Sequence, residues 1–380
     1  MQFALINGRV FDGEQILNDC AVLVRDGRIE ALTEHTLLPA GIETVDLAGQ
    51  LLAPGFIDTQ VNGGGGVLFN DCPDVEGIRA IGRAHRRFGT TGFLPTLISD
   101  RRETMEVAIE ATRRARHAVP GVLGVHLEGP FLNLQRKGIH PAQMIRPPEA
   151  DALVFLSGLK GEGVTLVTLA PEQVSPGFIR QLVEAGIIVA AGHTQASYAQ
   201  MVQALAQGVS GFTHLFNAMS PLTSREPGVV GAALDDADSW CGLIVDNHHV
   251  HAATLRVALR AKAAGKMMLV TDAVQTVGVD GGEFTLLGQA IVRENGRVSS
   301  PEGTLAGSDL DMASAVRNCN ALLGLSLQES LRMASLYPAQ FLRLGHRYGR
   351  IRAGYQASLV LLDDQLQVQQ TWIDGMADNG

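Results

Sequence analysis

Residues 122–128 read Val122-Leu-Gly-Val-His-Leu-Glu128, an apolar run that ends on a carboxylate. A run of this length and texture is that of a strand buried on both faces. Period-2 alternation puts His126 and Glu128 on one side of it, with His126 a layer deeper. Similar runs recur at residues 51–61, 90–97, 164–169, 187–193, 211–216, 243–248 and 267–272. Helical patterns lie between most of them. Residues 74–88 place Ile78, Ile81 and Phe88 near one face and stop before Gly89. Ser99 or Asp100 is placed to cap a helix that runs to His117, with Arg113, Arg114 and Arg116 at its negative end. Gly208 and Gly265 stand where a C′ glycine would close two more helices. Eight buried strands alternating with helices predict a parallel (β/α)8 TIM-like barrel. Its rival is a doubly wound open sheet, which periodicity alone does not exclude.

The chain has 380 residues, whereas a bare barrel takes about 250. Its two ends carry the excess. Residues 3–7, 21–24 and 28–32 look like short strands, the last two joined by the hairpin dipeptide Asp26-Gly27. Residues 357–362 and 368–373 have the same texture. Neither end has enough strands to bury a face alone. The expectation is one small β-sandwich domain built from residues 1–52 and 347–380, with the catalytic barrel occupying residues 53–346.

The 30 Lys+Arg against 39 Asp+Glu give a net charge of −9, which argues against a nucleic-acid binder. Cys20, Cys72, Cys241 and Cys319 form no C-x-x-C pair and read as free thiols. No basic start followed by an apolar stretch opens the chain, and no apolar run reaches the roughly 18 residues of a membrane helix. A soluble cytoplasmic protein without membrane or nucleic-acid partners is expected. Gly63-Gly-Gly-Gly66 lacks the phosphate-loop pattern and reads as a tight turn at a strand end.

The polar residues fall at the inferred strand ends: Gln60 and Asn62, Glu128, His193, His214, His248-His249 and Asp272. In a barrel these positions are the mouth where chemistry is done. A carboxylate ending an apolar strand has to be paired or coordinated. Glu128 with two histidines at successive strand ends suggests a three-ligand metal site with an open position. Asp272 then reads as general base and acid, against the blander reading of an orienting carboxylate. His126 reads as a hydrogen-bonded core histidine, and His140 as a loop residue close enough to reach a substrate. The fourth strand ends in Thr168-Leu-Ala-Pro-Glu172. None of the four lysines, Lys137, Lys160, Lys262 and Lys266, lies there, which argues against a lysine-bridged pair of metals.

These motifs carry a resemblance. His126-Leu-Glu-Gly-Pro-Phe131, Lys137-Gly-Ile-His140, Gly192-His-Thr194, His214-Leu-Phe-Asn-Ala-Met219, Val270-Thr-Asp-Ala273 and Gly303-Thr-Leu-Ala-Gly-Ser308 resemble the N-acetylglucosamine-6-phosphate deacetylase family of the amidohydrolase superfamily. Ala53-Pro-Gly-Phe-Ile-Asp58 marks only the superfamily. The resemblance implies metal-dependent release of acetate from N-acetyl-D-glucosamine 6-phosphate, through an activated water with Asp272 as base and acid. Glu128, His193 and His214 would hold one divalent cation, with zinc expected. His140 would bind the acetyl carbonyl. Ile139, Asn217, Ala218, Arg225, His249, Leu305, Ala306 and Gly307 would bind the phosphorylated amino sugar. A homodimer or higher homo-oligomer is implied, in which Arg225 reaches the site from its own or a neighbouring subunit. Some relatives carry a His-x-His pair where this chain has Gln60-Val61-Asn62, and neutral amides are weaker ligands than imidazole, so one metal is expected. The galacto epimer of the substrate, a cyclic amide and an inactive scaffold are the competing readings.

Overall fold

The computed structural model describes residues 2–378. Eight parallel strands lie side by side in chain order: β1 (Phe56–Val61), β2 (Thr90–Ile98), β3 (Gly124–Glu128), β4 (Val164–Leu169), β5 (Ile188–Ala191), β6 (Gly211–Phe212), β7 (Trp240–Leu243) and β8 (Met267–Leu269). All residues of β2 and β3 are buried, as a sheet covered on both faces requires. Helix α1 (Val75–Arg86) follows β1. Asp74 accepts the Gly77 N–H at 2.7 Å to start it, and Ile78, Ile81 and Ala84 face the core. Helix α2 (Arg102–Ala118) buries Met105, Ala108, Ile109 and Ala115 beside it. The barrel, not the open sheet, is therefore the architecture.

No ladder of strand bonds closes β8 onto β1. The gap is spanned by one bridge between Val61 and Ala273 and by a side-chain clasp. The buried Asp58 carboxylate accepts the Thr271 hydroxyl on one oxygen and the N–H groups of Gln60 (3.1 Å) and Thr271 (3.3 Å) on the other.

A second sheet draws on both ends of the chain. Its order is Met376–Ala377, Val368–Ile373, Leu359–Leu362, Leu51–Pro54, Gln2–Phe11, Ile16–Arg25 and Arg28–Thr33, with Glu43–Asp46 also on Gln2–Phe11. Leu52 pairs with Leu361 and packs in a core with Leu5, Val22, Ile29 and Trp372. The Asp26-Gly27 turn joins two of these strands, both of its residues at positive φ.

Several boundaries differ from the sequence reading. Strands β5, β6 and β8 stop two to four residues early, and β7 spans 240–243 instead of 243–248. Ladder bonding ends where the backbone turns left-handed, at His193 (φ 49°), His214 (φ 36°) and Asp272 (φ 53°). His248 and His249 lie in a loop turned by Asp246, whose Oδ1 accepts both of their N–H groups. Neither Ser99 nor Asp100 caps α2: its N-cap is Arg101, because Ser99 serves His140 and Asp100 accepts Asn70. Gly265 lies three residues past the Lys262 cap of the helix it was expected to close, whereas Gly208 follows its helix directly.

One element was not read at all. After β8 a three-stranded sheet, Glu283–Leu286, Gln289–Glu294 and Arg297–Ser299, folds over the mouth. Leu286, Ile291 and Val298 pack on Leu68, Val274 and Ala306.

Candidate active site

The barrel mouth opens on a cavity of about 250 Å³ lined by Glu128, His140, His193, His214, His249 and Asp272. Glu128 ends β3 with its carboxylate fully enclosed. Its Oε1 is 2.9 Å from His193 Nε2 and 3.0 Å from His214 Nε2, and those two nitrogens are 3.1 Å apart. His193 turns its Nδ1 to the Arg136 carbonyl at 2.8 Å, which keeps the proton there and leaves Nε2 a lone pair. Lone pairs on two imidazoles and a carboxylate in mutual contact repel unless a proton or a metal cation lies among them. Two nitrogens and one oxygen are a donor set that suits zinc and its neighbours. The residues present therefore fit a divalent cation.

His140 competes for the third ligand position, since one of its ring nitrogens, a Glu128 oxygen and a His193 nitrogen lie within 4.8 Å of one another. Its hydrogen bonds give it a different task. Ser99 donates its backbone N–H to His140 Nδ1 at 3.2 Å, and the Ser99 hydroxyl lies 2.8 Å from the same atom. The ring proton must then sit on Nε2, 3.9 Å from Glu128 Oε1. Burial pushes the His140 imidazole down to about 4, so it is a neutral donor. His214 is the better third ligand.

Asp272 faces this cluster. Its Oδ1 accepts Gln60 Nε2 at 2.9 Å and Asn62 Nδ2 at 2.7 Å. Gln60 Nε2 also reaches Glu128 Oε2 at 3.1 Å, so one amide tethers both carboxylates. Burial, followed by the Glu128 charge, raises the Asp272 carboxyl above its ordinary range. Burial also pushes Glu128 up, but the surrounding imidazoles of His140, His193 and His214 outweigh it and hold the group well below 4.5. For His214, burial pulls down and Glu128 pulls up, and Glu128 wins.

Of the residues expected to touch substrate, Ile139, His140, Asn217, Ala218, His249, Leu305, Ala306 and Gly307 line the cavity. His249 is oriented by Asp246, whose Oδ2 is 2.6 Å from its Nδ1. Gly307, at φ 74°, has no room for a Cβ, which would meet Val274 Cγ1 at 2.6 Å. Arg225 is not brought in: it lies on the exposed run 221–226, outside the cavity. His126 is a core histidine, with Nε2 2.7 Å from Thr168 Oγ1. Sequence reasoning missed Ser99, Asp246, the Arg136 carbonyl and the amide tether. Only Asp246 left a signal, a carboxylate three residues before His249 in a turn.

A barrel with imidazoles and carboxylates gathered at the C-terminal ends of its strands defines a metal-dependent hydrolase. The amidohydrolase family profile matches residues 51–377, and a profile described as the NagA composite domain matches residues 2–52. The chain belongs to the amidohydrolase family. It is 43% identical to the N-acetylgalactosamine-6-phosphate deacetylase of Shewanella sp. (strain ANA-3), over 96% of this chain and 95% of that protein. It is 36% identical to the N-acetylglucosamine-6-phosphate deacetylase of Haemophilus influenzae, over 99% of each. The solved N-acetylglucosamine-6-phosphate deacetylase of Pasteurella multocida matches with a TM-score of 0.96 at 34% identity, over 100% of both chains. A mutant of the Mycobacterium smegmatis enzyme in complex with N-acetyl-D-glucosamine-6-phosphate matches at 0.91 and 30%, over 99% of both.

Proposed function

We propose that this chain hydrolyses the acetamide of N-acetyl-D-glucosamine 6-phosphate to D-glucosamine 6-phosphate and acetate. The observation that carries the reading is the contact of Glu128 Oε1 with two imidazole nitrogens, beside an Asp272 carboxylate whose Oδ1 is already engaged. Glu128, His193 and His214 would hold one divalent cation, zinc by its donor set. When bound, the cation supplies Lewis acidity to the acetamide carbonyl and acidifies the attacking water. With Oδ1 held by two amides, Asp272 takes the proton of that water on Oδ2. The C–N bond breaks as the same proton passes to the departing amine. His140 donates its Nε2–H to the carbonyl oxygen as charge builds there. Gln60 and Asn62 point N–H donors where imidazoles would offer lone pairs, which supports one cation, not two. No helix among the described residues is long and apolar enough to cross a membrane, and the working place proposed is the cytoplasm. A homodimer that brings Arg225 to the pocket of a neighbouring chain is proposed for phosphate binding, since Arg225 lies outside the cavity of its own chain.

The galacto epimer is the second reading, favoured by the name of the 43% identical Shewanella relative. Metal per chain and acetate release from both 6-phosphorylated N-acetyl amino sugars test the proposal. One metal and faster turnover of the gluco compound are expected. Faster turnover of the galacto compound would transfer the assignment to that epimer, and no metal with no turnover of either would end both.

A further inference from the structure

A second cavity, of about 410 Å³, lies at the N-terminal ends of β2 and β3, on the barrel face opposite the catalytic one. Its walls carry Arg116 from α2, Arg347, Tyr348 and Gln356 from the segment that leads into the C-terminal strands of the small sheet, and Asp374 from a turn of that sheet. The polar groups here are unevenly matched. Arg116 spends Nε and Nη1 on the carbonyls of Glu162 and Val122, both at 2.6 Å. The Arg347 guanidinium has no acceptor among the described residues, and its Nε is buried without a partner. Gln356 Oε1 is likewise buried and unpaired. The Tyr348 hydroxyl makes no hydrogen bond among the described residues, although its ring lies 5.6 Å from the Arg347 guanidinium carbon. Arg347 repels Arg116, and Arg28 also acts on Tyr348. Asp374 is the only carboxylate in the described lining, and Gln356 Nε2 already occupies its Oδ1 at 2.7 Å.

Two guanidiniums against one carboxylate leave a positive excess in a concave, partly dry place. A buried charged N–H without an acceptor is costly, so such a group marks a missing partner. A phosphate anion answers that excess, and the unengaged planar fork of Arg347 suits its oxygens. We infer that this cavity is an anion site taking a phosphate group, free or as the end of a small phosphate monoester, between Arg116 and Arg347 with Tyr348 as a neutral donor. Because Arg116 belongs to the barrel and Arg347 to the C-terminal segment, the bound anion pins the two together.

The test uses the whole metal-loaded protein, with titration calorimetry and thermal unfolding in sodium phosphate and in glycerol 3-phosphate, against chloride at equal ionic strength. A saturable rise in melting temperature is expected, persisting in a variant carrying both His249→Ala and Arg225→Ala, which weakens the catalytic cavity as a competing phosphate site. In Arg347→Gln the affinity should fall roughly tenfold, the loss of one charge-assisted contact, with kcat for deacetylation unchanged. Tighter binding of glycerol 3-phosphate would assign a monoester, and tighter binding of phosphate the free ion. Stabilisation by neither anion, or equal affinity in Arg347→Gln and wild type, would overturn the inference. Should Arg347→Gln not fold, Tyr348→Phe serves: several-fold weaker binding supports the site, and unchanged affinity overturns it.

Discussion

His193 gives the proton of its Nδ1 to the Arg136 carbonyl, and His140 receives the Ser99 N–H on its own Nδ1. Two identical side chains, whose rings are 4.4 Å apart, are thereby suited to opposite tasks, one offering a lone pair and the other an N–H. His140→Ala should lower kcat by roughly 100-fold or more while bound metal stays near one per chain, read by steady-state kinetics and metal analysis. Asp272→Asn keeps both tethers but loses the proton carrier, so turnover should vanish with metal retained; surviving turnover would take Asp272 out of its role. The residues proposed to do chemistry could be singled out from sequence because a His or Glu at the end of an apolar run has little other reason to be there. Their orienting partners could not, since a backbone carbonyl or N–H such as those of Arg136 and Ser99 leaves no mark in residue type.

The strands position these groups, but most of the groups sit just past the strands. His193, His214 and Asp272 occupy left-handed backbone, where L-residues are rare and strain is held by surrounding bonds. Alternation of apolar residues cannot show where a ladder ends, which is why the strands read from sequence ran two to five residues too far. The sheet over the mouth was legible in principle, since its Asn295-Gly296 turn is a hairpin signal, but its strands alternate weakly. The clasp between β1 and β8 gives a pH test. Burial raises the Asp58 carboxyl to about 7 against 3.8 unfolded, so the folded chain keeps a proton that the unfolded chain has lost. Stability from this group is present below pH 4 and is lost as pH rises through 7, by roughly 4 kcal/mol at most. Thermal melts at pH 5 and pH 8 should show a smaller fall in Asp58→Asn than in wild type. Elsewhere Lys262 Nζ is buried against the carbonyls of Ala233 (2.6 Å) and Asp236 and the hydroxyl of Ser239 (3.0 Å), closing the helix Gly228–Asp235. Lys262→Met should cost about 2 kcal/mol in denaturant unfolding.

For the whole molecule, a net charge of −9 coexists with a proposed anionic substrate, because recognition is local and a cation would sit in the pocket. Among the described residues, the cavity of one chain offers His249 but no arginine for the phosphate. Arg225→Ala should therefore weaken kcat/KM for the 6-phosphorylated substrate by roughly 10- to 100-fold and leave the unphosphorylated sugar nearly unaffected. Equal losses would remove it from phosphate binding. Mixing Arg225→Ala with an Asp272→Asn chain should restore part of the activity if the arginine serves a neighbour. The sheet that joins the two ends of the chain has its own consequence, and it concerns birth instead of catalysis. Leu52 waits for Leu361, more than 300 residues later, before its pairing can form. On a ribosome adding about 5–20 residues per second, that delay is roughly 15–60 s. The whole barrel is made within that delay, and the edge of Leu51–Pro54 that Leu359–Leu362 will cover stays open until the barrel sequence is complete.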